Sequence, residues 1–281
     1  MSVEYACCLS PHKPPVQIYT MYWVASKLQC GLGNRLFQLA AAFKQSIQWN
    51  IPLVFAMPYC SPAEHGDFET IFKLFPSIER LWKAEPQVSI DQEGVFEETL
   101  LPSEAPAQTV LLKGMWQAAS FVLDDFRPTW VENPELLERW CLTSDEQQAK
   151  TVFLHVRLGD YKILPHHQVN LLAYFVRAMD MFPNVRFLIF SDSIEEVKTY
   201  SIFSSGACVF VDEPDEYNTL YLMSKCGGAI TANSTFSWWG AFFARQQAKG
   251  DFKVCMPDKW FETYSESTDT IYPPWATVIP V

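Results

Sequence analysis

The chain has 281 residues, of which 49% are apolar and 19% are charged, so its composition excludes a disordered, coiled-coil or collagen-like protein. The length is compatible with one large domain or two modest ones. Lys and Arg total 21 against 32 Asp and Glu, and the formal net charge is -11. This balance argues against a general nucleic-acid binder or an anionic-membrane binder, because both need a basic surface. A phosphate-bearing ligand would have to be held by a few particular residues.

The cysteine pattern bears on the redox state of the thiols, and the hydropathy pattern bears on whether the chain has a membrane span. The eight cysteines form no C-x-x-C pair and match no zinc-ligand spacing, so we expect reduced thiols rather than a disulfide framework. No window approaches the ~18–20 apolar residues of a membrane span, and no secretory signal is visible. We therefore expect a cytoplasmic location.

The first half of the sequence predicts an α/β unit. Residues 16–28 are rich in β-branched and aromatic residues, which is typical of a strand, and a Gly-containing turn follows. Apolar residues then recur at helical spacing up to Ile47, with Asn34 as the expected N-cap, and residues 51–55 fit a second strand. The remaining predicted elements are a short helix near 70–82, a strand over 109–113 and a helix over 116–123.

The second half alternates strands and helices more regularly. The predicted strands cover 152–156, 185–190, 207–211, 228–231 and 252–256, and the predicted helices cover 171–182, 217–225 and 234–247. Ser193 and Glu196 predict a capping box at the start of a further helix. Apolar strands that alternate with helices indicate a parallel sheet of Rossmann type. We place a domain boundary in the polar run 143–150, which gives domains 1–148 and 149–281.

Ligands of open α/β sheets bind at the carboxyl ends of the strands, and the heptapeptide His155–Tyr161 follows such a strand. Strand alternation puts His155 and Arg157 on one face, and the Arg157 guanidinium can fork onto two phosphate oxygens. Asp160 would orient Arg157 or accept a proton. A buried structural pair of Arg157 and Asp160 explains the same spacing equally well.

Three further polar features follow predicted strands. Ser234 and Thr235 begin a predicted helix, where hydroxyl groups and free backbone N–H groups form an anion site. The turn with Gly33 and Asn34 would allow close backbone approach to a ligand across a cleft. Asp192 would bind a ribose hydroxyl or a base amine.

Two other kinds of site are not favoured. No G-x-S-x-G elbow supports serine-hydrolase chemistry. His166 and His167 stand beside Pro165 with no carboxylate nearby, so we interpret them as solvated loop residues rather than as metal ligands.

Together these features resemble glycosyltransferase family 11, the α-1,2-fucosyltransferases. The segments that resemble family motifs follow the family's order and are Cys30–Gln38, Gly114–Gln117, His155–Tyr161, Phe190–Asp192 and Ala232–Ala241. The resemblance implies a GT-B fold, in which two Rossmann-like domains face each other across a cleft. It also implies GDP-L-fucose as donor, a galactose-containing glycan as acceptor, inversion at the anomeric carbon, and neither a metal ion nor another cofactor.

The same resemblance implies roles for individual residues. Arg157 would contact the diphosphate, and Asn34 would reach the donor from the N-terminal domain. The donor-binding set expected is Gly33, Asn34, Arg35, His155, Asp192, Ser234, Thr235 and Phe236. Arg157 and Asp160 are the expected catalytic residues. Trp116 and Gln117 would contact the acceptor, although Trp116 is explained equally well as a core residue.

The sequence departs from the family pattern at positions that affect donor binding. Leu158 stands where many members have a second Arg, and Arg35, which replaces the usual Gln, would return that charge. Thr219 stands where an acidic residue is usual. The residues that remain for guanine recognition are Asp212, Asp215 and Glu216.

The sequence leaves the general base and the activity open among alternatives. The base would be Asp160, Glu64 or Asp67. The chain would be a fucosyltransferase, a transferase for another GDP-sugar, or a non-catalytic protein of the same fold that binds a nucleotide or a glycan.

Overall fold

The computed structural model describes residues 22–62 and 66–281, so Glu64 and the beginning of the predicted strand 16–28 lie outside the described residues. The strands, in chain order, are β1 (Val24–Ser26), β2 (Val54–Ala56), β3 (Glu79–Leu81), β4 (Val88–Asp91), β5 (Val110–Lys113), β6 (Thr151–Val156), β7 (Arg186–Ser191), β8 (Cys208–Phe210), β9 (Gly228–Ile230), β10 (Lys253–Pro257) and β11 (Thr277–Ile279). The α-helices are α1 (Leu32–Trp49), α2 (Thr70–Leu74), α3 (Pro134–Arg139), α4 (Asp145–Ala149), α5 (Leu172–Asp180), α6 (Ile194–Val197), α7 (Glu216–Ser224) and α8 (Thr235–Gln247).

The second half forms a six-stranded sheet in the order β11-β10-β9-β6-β7-β8, and every pairing in it is parallel. The chain runs from β6 outward to β7 and β8, and then returns to place β9 on the other side of β6. The strand order therefore reverses between β6 and β9, and ligands of open α/β sheets bind outside the carboxyl ends of the strands at such a point. The predicted α/β fold with a parallel sheet is confirmed.

The first half contains two smaller parallel sheets, β1-β5-β4 and β2-β3. The predicted helix over 70–82 is too long, because α2 ends at Leu74 and β3 follows Pro76 after a short turn. The predicted helix over 116–123 is wrong. Only a short 3-10 helix, Ala119–Phe121, forms there, and Trp116 has a left-handed φ of 57° that an α-helix does not allow.

Helix starts also differ from the sequence predictions. Asn34 is not the N-cap of α1, because the helix begins at Leu32 and Gly31 occupies the cap position without a side-chain bond. The Ser193 capping box is wrong as well, since the Ser193 side chain makes no cap bond to α6.

The polar run 143–150, in which we place the domain boundary, contains a short helix. Ser144 and Gln147 form a capping box there, and this box begins α4. The proposed boundary at residue 148 therefore falls within a short helix that leads directly into β6.

The two halves share one hydrophobic cluster, in which α1 packs against α8. The Phe37 ring lies 4.7 Å from the Trp238 ring and 5.0 Å from the Trp239 ring, measured between centroids. Because α1 belongs to the first half and α8 to the second, this contact fixes the start of α1 against the start of α8.

Cysteines and membrane-spanning potential can be read over residues 22–62 and 66–281. Cys60, Cys141, Cys208, Cys226 and Cys255 are free thiols, as predicted. Within that part of the chain, no helix combines the length and the apolar character needed to cross a membrane.

Candidate functional site

A cavity of about 550 Å³ opens at the carboxyl ends of the strands of the six-stranded sheet. This volume lies within the roughly 300–1,000 Å³ of typical small-molecule sites. The walls come from the start of α1, the starts of α7 and α8, and the loops after β6, β7, β8 and β10. The predicted site residues that line it are Gly33, Asn34, Gln117, His155, Arg157, Asp160, Asp192, Ser234, Thr235 and Phe236.

Arg157 follows β6, near the point where the strand order reverses, and is held by two carboxylates. Its Nη2 donates to Asp160 Oδ1 at 2.6 Å, and its Nη1 pairs with Asp192 Oδ2 at 2.8 Å. The guanidinium has five N–H donors, so several remain for a ligand. Arg157 is the one Lys or Arg among the described residues that line the cavity.

Asp192, for which we expect a contact with a ribose hydroxyl or a base amine, lines the cavity and also holds the loop that carries Arg157. Its Oδ1 accepts the backbone N–H groups of Leu158 and Gly159 at 2.9 and 3.1 Å, while Oδ2 pairs with Arg157. The carboxylate therefore ties β7 to the loop that carries Arg157. The contact between Oδ2 and Nη1 also fixes the direction of the guanidinium.

Positive potential also comes from the starts of two long helices. The first N–H groups of a helix have no partner within it, and the helix dipole makes that end positive. α1 and α8 have 18 and 13 residues, and both begin without a side-chain cap and without an acidic residue in the first turn. Both first turns line the cavity, which favours a bound anion there.

Asn34 joins the two helix starts. Its Oδ1 accepts from Thr235 Oγ1 at 2.9 Å and from Gln117 Nε2 at 2.9 Å. Gly33 lies so close to α8 that a Cβ there would stand 2.5 Å from Phe236 N. The glycine in this turn is therefore required by the close approach of the two helices.

His155 lies beneath Arg157 at the end of β6 and is 5% exposed. Burial, together with the Arg157 charge, lowers the pKa of His155 to about 4, against the opposing effect of Asp192. The imidazole is therefore neutral at neutral pH, and it leaves the positive charge at this point to Arg157.

Two predicted site residues lie outside the cavity lining. Arg35 is 1% exposed, and its guanidinium donates to the carbonyl oxygens of Cys30 and Ser61 at 2.8 and 2.9 Å. It therefore stabilises the turn before α1 instead of facing a ligand. Trp116 is fully buried and packs edge-to-face on Phe121 at 5.2 Å, so it cannot stack on an acceptor sugar.

Of the carboxylates considered for guanine recognition, Glu216 lines the cavity, whereas Asp212 and Asp215 do not. Asp215 caps α7 by accepting from Asn218 N at 2.8 Å, and Glu216 accepts from Asp67 N at 3.0 Å. Asp212 is not part of the lining, whereas Glu213 is. Sequence reasoning missed Glu213. Its position three residues after the end of β8 was the available signal.

Sequence reasoning also missed a set of rings that we call the aromatic wall, formed by Tyr161, His166, His167, Phe261 and Tyr264. All five residues line the cavity. The two histidines, which we interpreted as solvated loop residues, belong to this wall, and His167 stacks on Tyr161 at 4.2 Å. Burial and the neighbouring His166 lower the pKa of His167 to about 4, so this imidazole is also neutral at neutral pH.

A cation and two uncapped helix starts at the switch point of a parallel sheet form the arrangement by which α/β proteins bind phosphate-bearing ligands. The chain belongs to glycosyl transferase family 11, whose model matches residues 102–278. The family resemblance of the motifs is thereby confirmed.

Individual relatives are similar to this chain over different spans. An α-1,2-colitosyltransferase of Escherichia coli is 28% identical over 273 residues, which cover 85% of this chain and 92% of that protein. The O-antigen biosynthesis glycosyltransferase WbnK of Escherichia coli is 33% identical over 135 residues, 44% of each chain. The crystal structure of the NodZ α-1,6-fucosyltransferase soaked with GDP-fucose is similar with a TM-score of 0.49 at 13% identity, over 79% of this chain and 92% of that one.

Proposed function

We propose that the protein transfers L-fucose from GDP-L-fucose to O2 of a galactose-containing glycan, with inversion and without a metal ion or other cofactor. The observation that carries the proposal is the convergence of Arg157 with the starts of α1 and α8 on one cavity. A nucleoside diphosphate needs positive groups at one focused place, and these three supply them in a chain of net charge -11. They do the work that a divalent cation does in metal-dependent transferases.

In the proposed reaction, an acceptor hydroxyl attacks the anomeric carbon from the face opposite the diphosphate. A bond forms between the acceptor oxygen and this carbon, and the bond from the carbon to the β-phosphate oxygen breaks. GDP leaves with the electron pair. Fixed donors aimed at the growing negative charge are usually the largest catalytic contribution. Arg157 and the N–H groups at the start of α8 are these donors in our proposal.

The proton of the acceptor hydroxyl must pass to a base, and we assign this step to Asp160. Asp160 lines the cavity, whereas Asp67 is outside the lining and pairs with Lys73 at 2.9 Å. Asp160 also pairs with Arg157, so the base and the diphosphate donor are positioned by one contact. In this proposal the orienting role and the proton-accepting role belong to the same carboxylate.

We assign guanine recognition to Glu213. The Watson–Crick edge of guanine carries N–H donors, and a carboxylate accepts them. Glu213 lies in the lining beyond β8, which is an edge strand of the six-stranded sheet. Thr219, where an acidic residue is usual in the family, donates its hydroxyl to the Glu213 carbonyl at 3.2 Å. Thr219 therefore contacts Glu213, the residue that would supply the carboxylate missing at position 219.

The second candidate donor is a GDP-linked colitose, because one relative is an α-1,2-colitosyltransferase. Colitose is L-fucose without its 3-hydroxyl group, so the two donors differ by a single hydrogen-bonding group. A third candidate is a non-catalytic protein that binds a nucleotide or a glycan in the same cavity.

Two further expectations concern the domain arrangement and the location of the protein in the cell. We propose two Rossmann-like domains, 1–148 and 149–281, in a GT-B arrangement, and the separate parallel sheets of the two halves support it. The cytoplasmic location stays a prediction.

The test is to incubate the purified chain with GDP-L-fucose or GDP-L-colitose and a panel of galactosides, with and without EDTA. We expect GDP release and a fucosylated product whose NMR spectrum shows an α-linkage to O2. Faster transfer from the colitose donor would favour the second candidate. EDTA-sensitive transfer would refute the metal-free mechanism, and GDP binding without transfer would favour the non-catalytic candidate.

A further inference from the structure

The aromatic wall is continuous from ring to ring. The Tyr161 and His167 rings are stacked with an interplanar angle of 16°, and the centroids of His167 and Phe261 are 4.8 Å apart. Phe261 continues to Tyr264 at 4.6 Å, and His166 lies 4.3 Å from His167. The wall is therefore a single surface built from the loop after β6 and the loop after β10.

Hydrogen bonds fix the two loops that carry the wall. Glu262 N donates to the His166 carbonyl at 2.7 Å, which joins one loop to the other. The Tyr161 hydroxyl donates to the Asn233 carbonyl at 3.0 Å, and Asn233 Nδ2 donates to the Trp260 carbonyl at 2.9 Å. The rings are thus positioned before any ligand arrives, which reduces the entropy lost on binding.

The wall differs from the core aromatic clusters because its rings remain partly accessible. Tyr264 is 40% exposed, while Trp238 and Trp239 in the shared core are 1% and 0% exposed. Phe96 of the first half packs edge-to-face against Phe261 and Tyr264, at 5.8 and 6.0 Å between centroids. Rings that are held by their neighbours and remain partly exposed are suited to a ligand with an apolar face.

The position of the wall identifies which part of the substrates would meet it. The sheet order places β10 and β8 on opposite sides of β6, four strand spacings apart, or roughly 19 Å. Arg157 lies between them, and Glu213 lies on the β8 side. With the diphosphate at Arg157 and guanine at Glu213, the wall stands at the far end, where the transferred sugar meets its acceptor.

We propose that the aromatic wall binds the acceptor galactoside by stacking on the C–H face of the sugar ring. This inference rests on the proposed function and names the acceptor subsite of the same cavity, in place of the contact that we first expected from Trp116. The wall contributes aromatic rings, which match the C–H face of a neutral sugar. Hydroxyl groups on the opposite edge of the galactose remain free to reach Asp160.

The test measures acceptor binding separately from turnover. Isothermal titration gives the affinity for GDP, and titration of methyl β-galactoside into the GDP complex gives the acceptor affinity without any reaction. We expect Phe261→Ala and Tyr264→Ala to weaken galactoside binding about tenfold, the upper range of an aromatic contact, and to leave GDP affinity unchanged. Tyr264→Phe, which keeps the ring and removes the hydroxyl, should bind the galactoside as the unaltered protein does.

The control is Trp82→Ala, since Trp82 is 71% exposed and does not line the cavity. Thermal unfolding of each variant shows that it is folded, and the exposed Tyr264 provides the variant least disruptive to the core. Unchanged galactoside affinity in both alanine variants would overturn the assignment, and so would an equal loss of GDP affinity. GDP binding to the unaltered protein without galactoside binding would overturn it too. Absence of GDP binding would reject the proposed function itself, and the acceptor subsite with it.

Discussion

The two ends of the cavity differ in chemistry. The end beside β8 carries the carboxylates of Glu213 and Glu216, whereas the end beside β10 carries the rings of the aromatic wall. Between them stands Arg157, on the loop after the central strand β6. In our proposal the base, the diphosphate and the sugar of the donor take these surfaces in this order. The difference therefore gives the cavity a polarity along the sheet.

The helix starts around the cavity show the same polarity. α7 begins at the β8 end with Asp215 as a side-chain cap and Glu216 in its first turn, so its dipole is already compensated. α1 and α8 begin in the middle without a cap or an acid, which leaves their dipoles available to an anion. The net charge of -11 belongs to the whole chain, and these two helix starts carry no acidic residue in their first turns.

We expect the largest effect on turnover from removing the positive charge of Arg157 in the middle of the cavity. Arg157→Ala should lower turnover on the order of 100–1,000-fold, as the loss of a preorganised donor typically does. Arg157→Lys keeps the charge but cannot fork, so it should restore only part of that rate. Steady-state rates with GDP-L-fucose measure both. Near-normal turnover in a folded Arg157→Ala protein would contradict the assignment of the diphosphate to Arg157.

The next effect concerns the close approach of α1 to α8. A Cβ on Gly33 would stand 2.5 Å from Phe236 N and 2.6 Å from the Thr235 carbonyl carbon, and both are backbone atoms that cannot turn aside. Gly33→Ala should therefore destabilise the fold by about 1–3 kcal/mol and weaken GDP binding, because the start of α8 must move.

Gly206→Ala is the matched control for that variant. A Cβ at Gly206 would meet nothing within 4 Å, so its free energy of unfolding should stay within about 0.5 kcal/mol of the unaltered protein. Urea unfolding and GDP titration distinguish the two variants. Equal behaviour of both would mean that the contact between the helix starts does not position the anion site.

The sequence predicted the middle of this cavity better than its ends. Periodicity placed β6 to β10 of the six-stranded sheet but missed the edge strand β11. The polar residues after β6 and β9 were found because parallel strands end on one edge. The aromatic wall was missed because its two loops lie about a hundred residues apart in the sequence, and tertiary contacts such as the bond between Glu262 and His166 bring them together. Arg35 was predicted to face the donor, because a short motif does not show whether a side chain points toward the cavity or into the core.

A smaller effect should come from the acidic end. Glu213→Gln removes the charge that we assign to the guanine N–H groups but keeps an amide oxygen that still accepts. We expect GDP affinity to fall about tenfold, because the free energy lost is that of one charged hydrogen bond. The preference for GDP over ADP should fall with it. Glu104→Gln, at an exposed position outside the lining, is the control. An unchanged preference for GDP would break the assignment of guanine to this end.

The smallest effect is a difference in how pH changes stability at the middle and at the acidic end. The pKa of His155 is lowered from 6.5 to about 4, mainly by burial. Below pH 6.5 the unfolded chain therefore binds a proton that the folded chain does not, so stability is lost as pH falls, on the order of 1–3 kcal/mol. Burial instead raises the pKa of Glu216 above its usual 4.5, so the folded chain takes up a proton first and gains stability as pH falls.

Urea unfolding measured from above pH 6.5 down to about 4 tests both signs. His155→Gln should flatten the loss of stability on acidification, whereas Glu216→Gln should steepen it, because it removes the group that opposes the loss. Since Glu216 also accepts from Asp67 N, its amide variant keeps an acceptor for that bond, and the change in slope reports the charge alone. Slopes that change in the same direction would mean that desolvation does not act with opposite consequences on the imidazole and the carboxylate that line this one cavity.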